Sequence, residues 1–318
     1  MDHAPRPLKR PTTTTEQILL LRSRGMDVDE ALARQWLPHV GYYRLSAYWY
    51  PAKARDASER RTDKFDAPIT FHHVAALYEA DRKLRTLVHD GMERIEVAVR
   101  AHVGDLLCST DALAYRDPSR FRDSFKHAAW LETAKKRAIR ARKHNEAIRH
   151  HDNEYGGQYP FWVLADVLDF ADVSRLFEGL PTKDQRHVAE GLGVTLALDR
   201  LSKSQQNKAK KHSPLARWLE QLTIVRNICA HHGRLWNRSL MPAPTPALRD
   251  RPEFRQLPER QSERVFGALT MMTQLIRTIC PGTTWPEKVV ALLRDEFLPN
   301  PLVRSKALGL PEEWDQRL

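Results

Sequence analysis

The sequence predicts an all-α fold, and three observations carry that prediction. Apolar residues recur at three- and four-residue steps through most of the chain. Helix start and stop signals bracket those runs. Glycine is scarce, with 13 in 318 residues, which is low for a β-rich chain of this length.

Thr14-x-x-Gln17 reads as a capping box ahead of Ile18, Leu19, Leu20 and Leu21, and Gly25 as the stop of that helix. A second helix is expected from Asp29 through Ala31, Leu32, Trp36 and Leu37. An aromatic cluster follows, Tyr42-Tyr43-Arg44-Leu45-Ser46-Ala47-Tyr48-Trp49-Tyr50. Its expected role is core packing of the N-terminal helices rather than base stacking. Residues 52–68 are charged and read as a loop. From Thr70 to Cys108 the pattern predicts one long amphipathic helix, with Val74, Leu77, Leu84, Val88, Met92, Ile95 and Val99 on its apolar face. Asp81, Arg82, Arg85, Glu93, Glu96 and Arg100 fall on the other side, and Glu96 and Arg100 form an i,i+4 pair.

A very basic helix is expected over about 124–149, and another from Tyr159 through Phe170. Pro181 ends the helical stretch after Asp172. A Lys-rich segment, Lys203 to His212, separates two parts of the chain. Ser213 then serves as N-cap and Pro214 as first residue of the next helix. Residues 241–258 are too Pro-rich for continuous helix, and Arg260 to Ile279 reads as a last long one. No strand pattern and no internal repeat stand out. The expected organisation is an N-terminal helical and aromatic extension, residues 1–69, followed by a helical domain, residues 70–318, with one integrated domain as the alternative.

Composition narrows the function classes. Hydrophobic residues make up 42% and charged residues 29%, an ordinary globular balance. The formal charge is +11, from 51 Lys+Arg against 40 Asp+Glu, which favours a polyanionic partner such as RNA. Cys108, Cys229 and Cys280 are far apart, which argues against a disulfide framework or a zinc ribbon and suggests a reducing, cytoplasmic setting. The polar, Pro/Thr-rich start has no apolar core of a secretory signal, and no apolar run approaches the ~20 residues needed to span a bilayer. No membrane partner is expected.

The chemistry concentrates in Arg226-Asn227-Ile228-Cys229-Ala230-His231. Projecting a helix from Leu215 to Arg238 at about 100° per residue aligns Trp218, Leu222, Val225 and Cys229 as an apolar stripe. Asn227 and His231 then share the polar side, continued by Arg234 and Arg238, while His232 falls in the apolar sector. Arg226 lies between the faces. Histidine suits proton transfer near neutral pH, and arginine suits the charge that develops on a phosphate under attack by a 2′-hydroxyl. No metal and no cofactor are needed for that route. One helix offers one His and one Arg, so a competent site calls for a second copy of the chain. Lys135, Lys136, Arg137, Arg140, Lys208, Lys210 and Lys211 are candidate contacts to RNA phosphates, and Glu93, Glu96 and Arg100 a supporting layer. The doublets His72-His73 and His150-His151 read as solvated surface, because adjacent helical residues point about 100° apart and chelate poorly.

The longer string Arg226 to Arg238 closely resembles the signature of the Abi-like proteins, bacterial abortive-infection phage-resistance proteins of the HEPN superfamily. Gly41 to Pro51 resembles that family's YYRLSGYWYP block, with Ala47 in place of Gly. Tyr78 to Arg85 is similar to its YxxDRxLR block, Glu93 to Arg100 to its ERIExxxR block, Pro160-Phe161-Trp162 to its Pro-aliphatic-Trp, and Gly309 to Trp314 to its closing GxPxxW. The resemblance implies a HEPN-like helical bundle. It further implies a metal-independent ribonuclease in which Arg226 and His231 are the catalytic pair, Asn227 the polar residue beside them, and the site is shared across a homodimer. His232 also satisfies the family's spacing, and Arg234 and Arg238 are supporting candidates. RNA is the expected substrate, with a regulatory RNA or antitoxin as a further partner. The competing reading is a non-catalytic RNA-binding module or regulatory subunit of a defence system.

Overall fold

A computed structural model describes residues 8, 10–211, 213–249, 251–255, 257 and 262–318. It is all-α, with two minor two-stranded sheets. Contacts divide the chain into two compact units, residues up to Lys83 with 291–304, and 84–290 with 305–318.

The first unit begins with α1 (Thr14–Ser23). Its capping box is Thr13 with Glu16, one residue earlier than the expected Thr14 and Gln17: the Glu16 amide donates to Thr13 Oγ1 at 3.2 Å, and Thr13 N–H returns to Glu16 Oε2 at 2.8 Å. Gly25, at φ +94°, carries the chain past its end. Asp29 caps α2 (Glu30–Val40), accepting from Leu32 N–H at 3.0 Å. Gly41, at φ 89° and ψ 136°, links α2 to α3 (Tyr42–Trp49).

The aromatic cluster is divided. Tyr48 and Trp49 are buried, whereas Tyr43 is fully turned to solvent. The Tyr48 hydroxyl donates to Asp81 Oδ2 at 2.7 Å. Asp81 is therefore core, not solvated helix face, and Arg85 is buried too. Burying that carboxylate requires the hydroxyl, which is why the aromatic block and the long helix are matched.

Residues 52–68 are not a simple loop. Strand β1 (Met26–Asp27) pairs in parallel with β4 (Ile69–Thr70), and β2 (Lys53–Arg55) pairs antiparallel with β3 (Arg61–Phe65). The charged strands carry little β signal of their own. The hairpin is held by its turn, where Asp56 Oδ1 accepts from the amides of Ser58 and Arg60 at 2.8 and 3.0 Å.

Helix α4 (Phe71–Cys108) runs unbroken, as its spacing predicts. Leu77, Leu84, Val88, Ile95 and Val99 are fully buried. His73 is a capping residue rather than surface: its Nδ1 accepts from Thr70 N–H at 3.3 Å, and its own amide donates to Thr70 Oγ1 at 3.1 Å.

In the second unit the expected single basic helix is two, α5 (His127–Ala141) and α6 (Glu146–Glu154). Asn145 starts the second by accepting from Ile148 N–H at 3.0 Å. The helix expected through Phe170 is also two, α7 (Phe161–Val167) and α8 (Phe170–Gly179). Asp169 and Asp172 form a capping box that restarts the helix. Then come α9 (Thr182–Gly191) and α10 (Lys203–Lys211), so the Lys-rich segment is itself helical. Helix α11 (Pro214–Ala230) packs on α8. Helix α12 (Val265–Ile279) starts after the expected Arg260, which lies outside the described residues. Helices α13 (Trp285–Leu292) and α14 (Ser305–Leu308) complete the chain.

Candidate functional site

Helix α11 begins as its sequence dictates. Ser213 Oγ accepts from Leu215 N–H at 3.3 Å, and Pro214 fills the first helical position. Trp218, Leu222, Val225 and Cys229 form the buried stripe, and Leu215 and Leu219 are buried beside it. Sinking that stripe leaves Arg226 part-exposed and Asn227 exposed on the outer side.

The helix ends at Ala230, eight residues before the expected Arg238. His231 is its cap, donating its amide to Asn227 O at 3.0 Å. His232 turns left-handed at φ 55°. Its amide donates to Cys229 O at 2.9 Å, and Gly233 N–H donates to Ile228 O at 2.7 Å. These two bonds make a Schellman turn, in which the left-handed position is usually glycine. Gly233 is needed for a different reason: a Cβ there would sit 3.0 Å from Ile228 Cγ2 and 3.1 Å from Ile228 O.

The early stop corrects three placements. His232 is exposed, not in the apolar sector. Arg234 and Arg238 do not continue a helical face, since they follow the turn. The Arg234 guanidinium lies over the Trp236 ring at 5.4 Å, and Arg238 is exposed. Both histidines are thus open to solvent at the end of α11.

Arg226 is held from α4. Its Nε donates to Glu96 Oε1 at 3.1 Å, and its Nη1 to Asn227 Oδ1 at 3.2 Å. Glu96 is nearly buried and also accepts from Arg100 Nη2 at 3.3 Å. Arg100 in turn donates to the carbonyls of Ala165 at 3.0 Å and Leu168 at 3.2 Å. Those carbonyls are set free where α7 gives way to α8, so the helix break and the arginine need each other. One carboxylate between two guanidiniums leaves the cluster net positive. Arg226 has five N–H donors, and two are used here. Glu93, the third member of the expected supporting layer, is exposed and outside this network.

The other cationic candidates separate. Arg137 is committed: its Nε donates to Asp172 Oδ2 at 2.9 Å, and its Nη2 pairs with Asp169. That pairing removes it as a free phosphate contact. Arg140 lies 3.6 Å from Asp169, and Lys136 3.9 Å from Glu132. Lys135, Lys208, Lys210 and Lys211 are exposed, the last three in the final turn of α10, where the helix dipole favours them. His150 and His151 pack against Tyr155, His151 stacked at 4.9 Å. Among the described residues no three His, Cys, Asp or Glu side chains gather to hold a metal.

A groove of about 480 Å³ borders Arg100, with Asp105 and Asp166 at its edge beside an apolar wall. Ala101 and Gly104 of α4 and Ala165 of α7 line it. Trp162 and Val97 stand beside them, 57% and 62% exposed, which is unusual for side chains so apolar.

With this geometry in hand, the motif string can be set against known families. The family model described as Abi-like protein matches residues 35–237. The chain belongs to the Abi-like protein family. That span holds the aromatic block, α4 and the whole motif helix, while the closing block at Gly309 to Trp314 lies beyond it. No curated protein and no solved structure matches the chain. Membership in the Abi-like family points to abortive-infection phage defence. Among the described residues no helix is long and apolar enough to cross a membrane.

Sequence reasoning singled out Arg226, Asn227 and His231 as candidates, and paired Glu96 with Arg100 as the structure does. It did not find that Glu96 also holds Arg226, because 130 residues separate them. It also missed the carbonyls of Ala165 and Leu168, whose only signal was the Asp169-x-x-Asp172 capping pattern.

Proposed function

We propose that the chain is a HEPN-type, metal-independent endoribonuclease of anti-phage defence. The observation that supports this best is the clamping of Arg226 by Glu96 beside an exposed Asn227 and the exposed His231 at the end of α11. A fixed guanidinium next to an open imidazole is the pairing that 2′-hydroxyl attack requires. The 2′-oxygen bonds to the adjacent phosphorus and the P–O5′ bond breaks. The 2′ proton passes to a neutral imidazole, and the 5′ oxygen takes a proton from an imidazolium. The products are a 2′,3′-cyclic phosphate and a 5′-hydroxyl. Arg226 stabilises the charge on the non-bridging oxygens, and Asn227 orients Arg226 through its side-chain oxygen.

Each chain contributes one imidazole in this scheme. The second role falls to a second copy, and the exposed Trp162 and Val97 beside Arg100 offer it an apolar face near the site. Exposed lysines on α5 and α10 supply the salt-dependent part of RNA affinity.

The test is total cellular RNA incubated in EDTA with the parent, His231→Ala and His232→Gly proteins, followed by mapping of new ends. Glycine suits the left-handed backbone at position 232, so the second variant removes an imidazole without straining the turn. Parent and His232→Gly are expected to leave matching 5′-hydroxyl ends, and His231→Ala none. Equal cutting by His231→Ala overturns the assignment. Binding without cutting by all three leaves an RNA-binding module instead.

A further inference from the structure

A second cavity lies away from the motif, between α5, α7 and the tight turn Ala114–Arg116, with a volume of about 240 Å³. Its floor is apolar: Ala134 and Ala138 of α5, Leu164 of α7, and the buried ring of Tyr115. Its rim is cationic, formed by Arg116, Lys135 and Arg142. No carboxylate lines it.

The three cations are not equivalent. Arg142 is tied to Asp152, its Nε 2.8 Å from Oδ2. Arg116 donates from Nε to the Tyr115 hydroxyl at 3.3 Å and lies over that ring at 5.7 Å. Neither Arg116 nor Lys135 pairs with a carboxylate among the described residues, and both are exposed. With Arg142 neutralised, the rim presents two positive charges over an apolar floor. The larger cavity near Trp130, about 460 Å³, differs: Asp172 and Glu178 line it together with Arg122, Lys126 and Arg175, so carboxylates stand among its cations.

We propose that the smaller cavity binds a nucleoside monophosphate unit, with the base on the Tyr115, Ala134, Ala138 and Leu164 floor and the phosphate between Arg116 and Lys135. A phosphate monoester carries about −1.5 to −2 at neutral pH, which matches the rim. The volume is below the ~300–1,000 Å³ that encloses a whole drug-sized ligand, so the base is enclosed and the phosphate stays at the mouth. The unit comes either as a free nucleotide or as the 5′-phosphorylated end nucleotide of an RNA strand. Neither source depends on the nuclease reading.

Binding is measured in His231→Ala protein, so that cleavage plays no part. Titration calorimetry uses uridine and adenosine 5′-monophosphates, the two parent nucleosides, and a 5′-phosphorylated five-nucleotide RNA. Arg116→Glu, Lys135→Glu and Lys306→Glu are compared; all three side chains are exposed, and Lys306 lies outside the cavity. Monophosphates that bind, with affinity falling about tenfold in Arg116→Glu and Lys135→Glu but not in Lys306→Glu, establish the free nucleotide as ligand. The same pattern with the oligonucleotide alone establishes the RNA strand. Absence of binding by both, nucleosides binding as well as monophosphates, or equal losses in all three variants overturns the proposal. Circular dichroism checks that each variant keeps the parent's helix content.

Discussion

At the scale of single residues, Glu96 decides what Arg226 can do. An arginine's long side chain has about 2 kcal/mol of rotamer entropy to lose, and a bond to a nearly buried carboxylate removes much of that freedom in advance. Glu96→Gln keeps an oxygen for Arg226 and Arg100 but loses the charge, whereas Glu96→Ala leaves both guanidiniums without a carboxylate. The alanine variant is expected to lose about 2 kcal/mol of stability. That is less than the ~3–5 of a fully buried pair, because Arg226 is 39% exposed and water screens it. Its cleavage rate is expected to fall on the order of a hundredfold in kcat with KM little changed, since a misplaced group costs the transition state most. Chemical denaturation and steady-state kinetics separate the two effects. A Glu96→Ala enzyme as active as the parent would show that Arg226 needs no clamp. His232 is the other informative residue: its backbone conformation suits glycine, and its place at the end of α11 was hidden by extrapolating the helix past Ala230.

At the scale of elements, the packing of α4 is set by a small residue. Gly91 lies where a Cβ would come within 2.8 Å of both Ile276 Cδ1 and Met272 Cε of α12, and 3.0 Å of Trp285 Cε2 of α13. Trp285 is also fixed there, its Nε1 donating to Leu87 O at 2.8 Å. Gly91→Ala is therefore expected to destabilise by about 1–3 kcal/mol despite alanine's better helix propensity, and thermal unfolding would report it. An unchanged melting temperature would mean that α12 and α13 yield freely. The long helices were legible from their apolar period, and α4 and the start of α11 match the expectation closely. The breaks were not. Asn145, and Asp169 with Asp172, interrupt two runs whose periodicity reads straight through, because a cap is a single side-chain bond and leaves the apolar spacing almost untouched.

At the scale of the whole molecule, a composite site demands a partner. If the second copy seats on the face of Val97 and Trp162, Trp162→Glu places a charge in an apolar contact. It is expected to convert a dimer to monomer and to abolish cleavage together. Sedimentation at matched concentrations checks the first and the RNA assay the second. A parent that stays monomeric, yet cuts RNA, would remove the need for a shared site. The net charge of +11 would serve the proposed RNA binding in either state, and its contribution is expected to weaken as salt rises.

The helical class, the family membership carried by the motif blocks, and the candidate trio Arg226, Asn227 and His231 are all legible in the chain. Local rules suffice for these: period, caps and a dense motif within one helix. That Glu96 holds Arg226, that Asp81 is a buried partner of Tyr48, that Arg137 is committed to Asp169 and Asp172, and that a charged stretch forms a hairpin emerge once the chain is folded. Each of these depends on which distant group a polar side chain meets once the apolar faces are buried, and helical periodicity carries no record of that meeting.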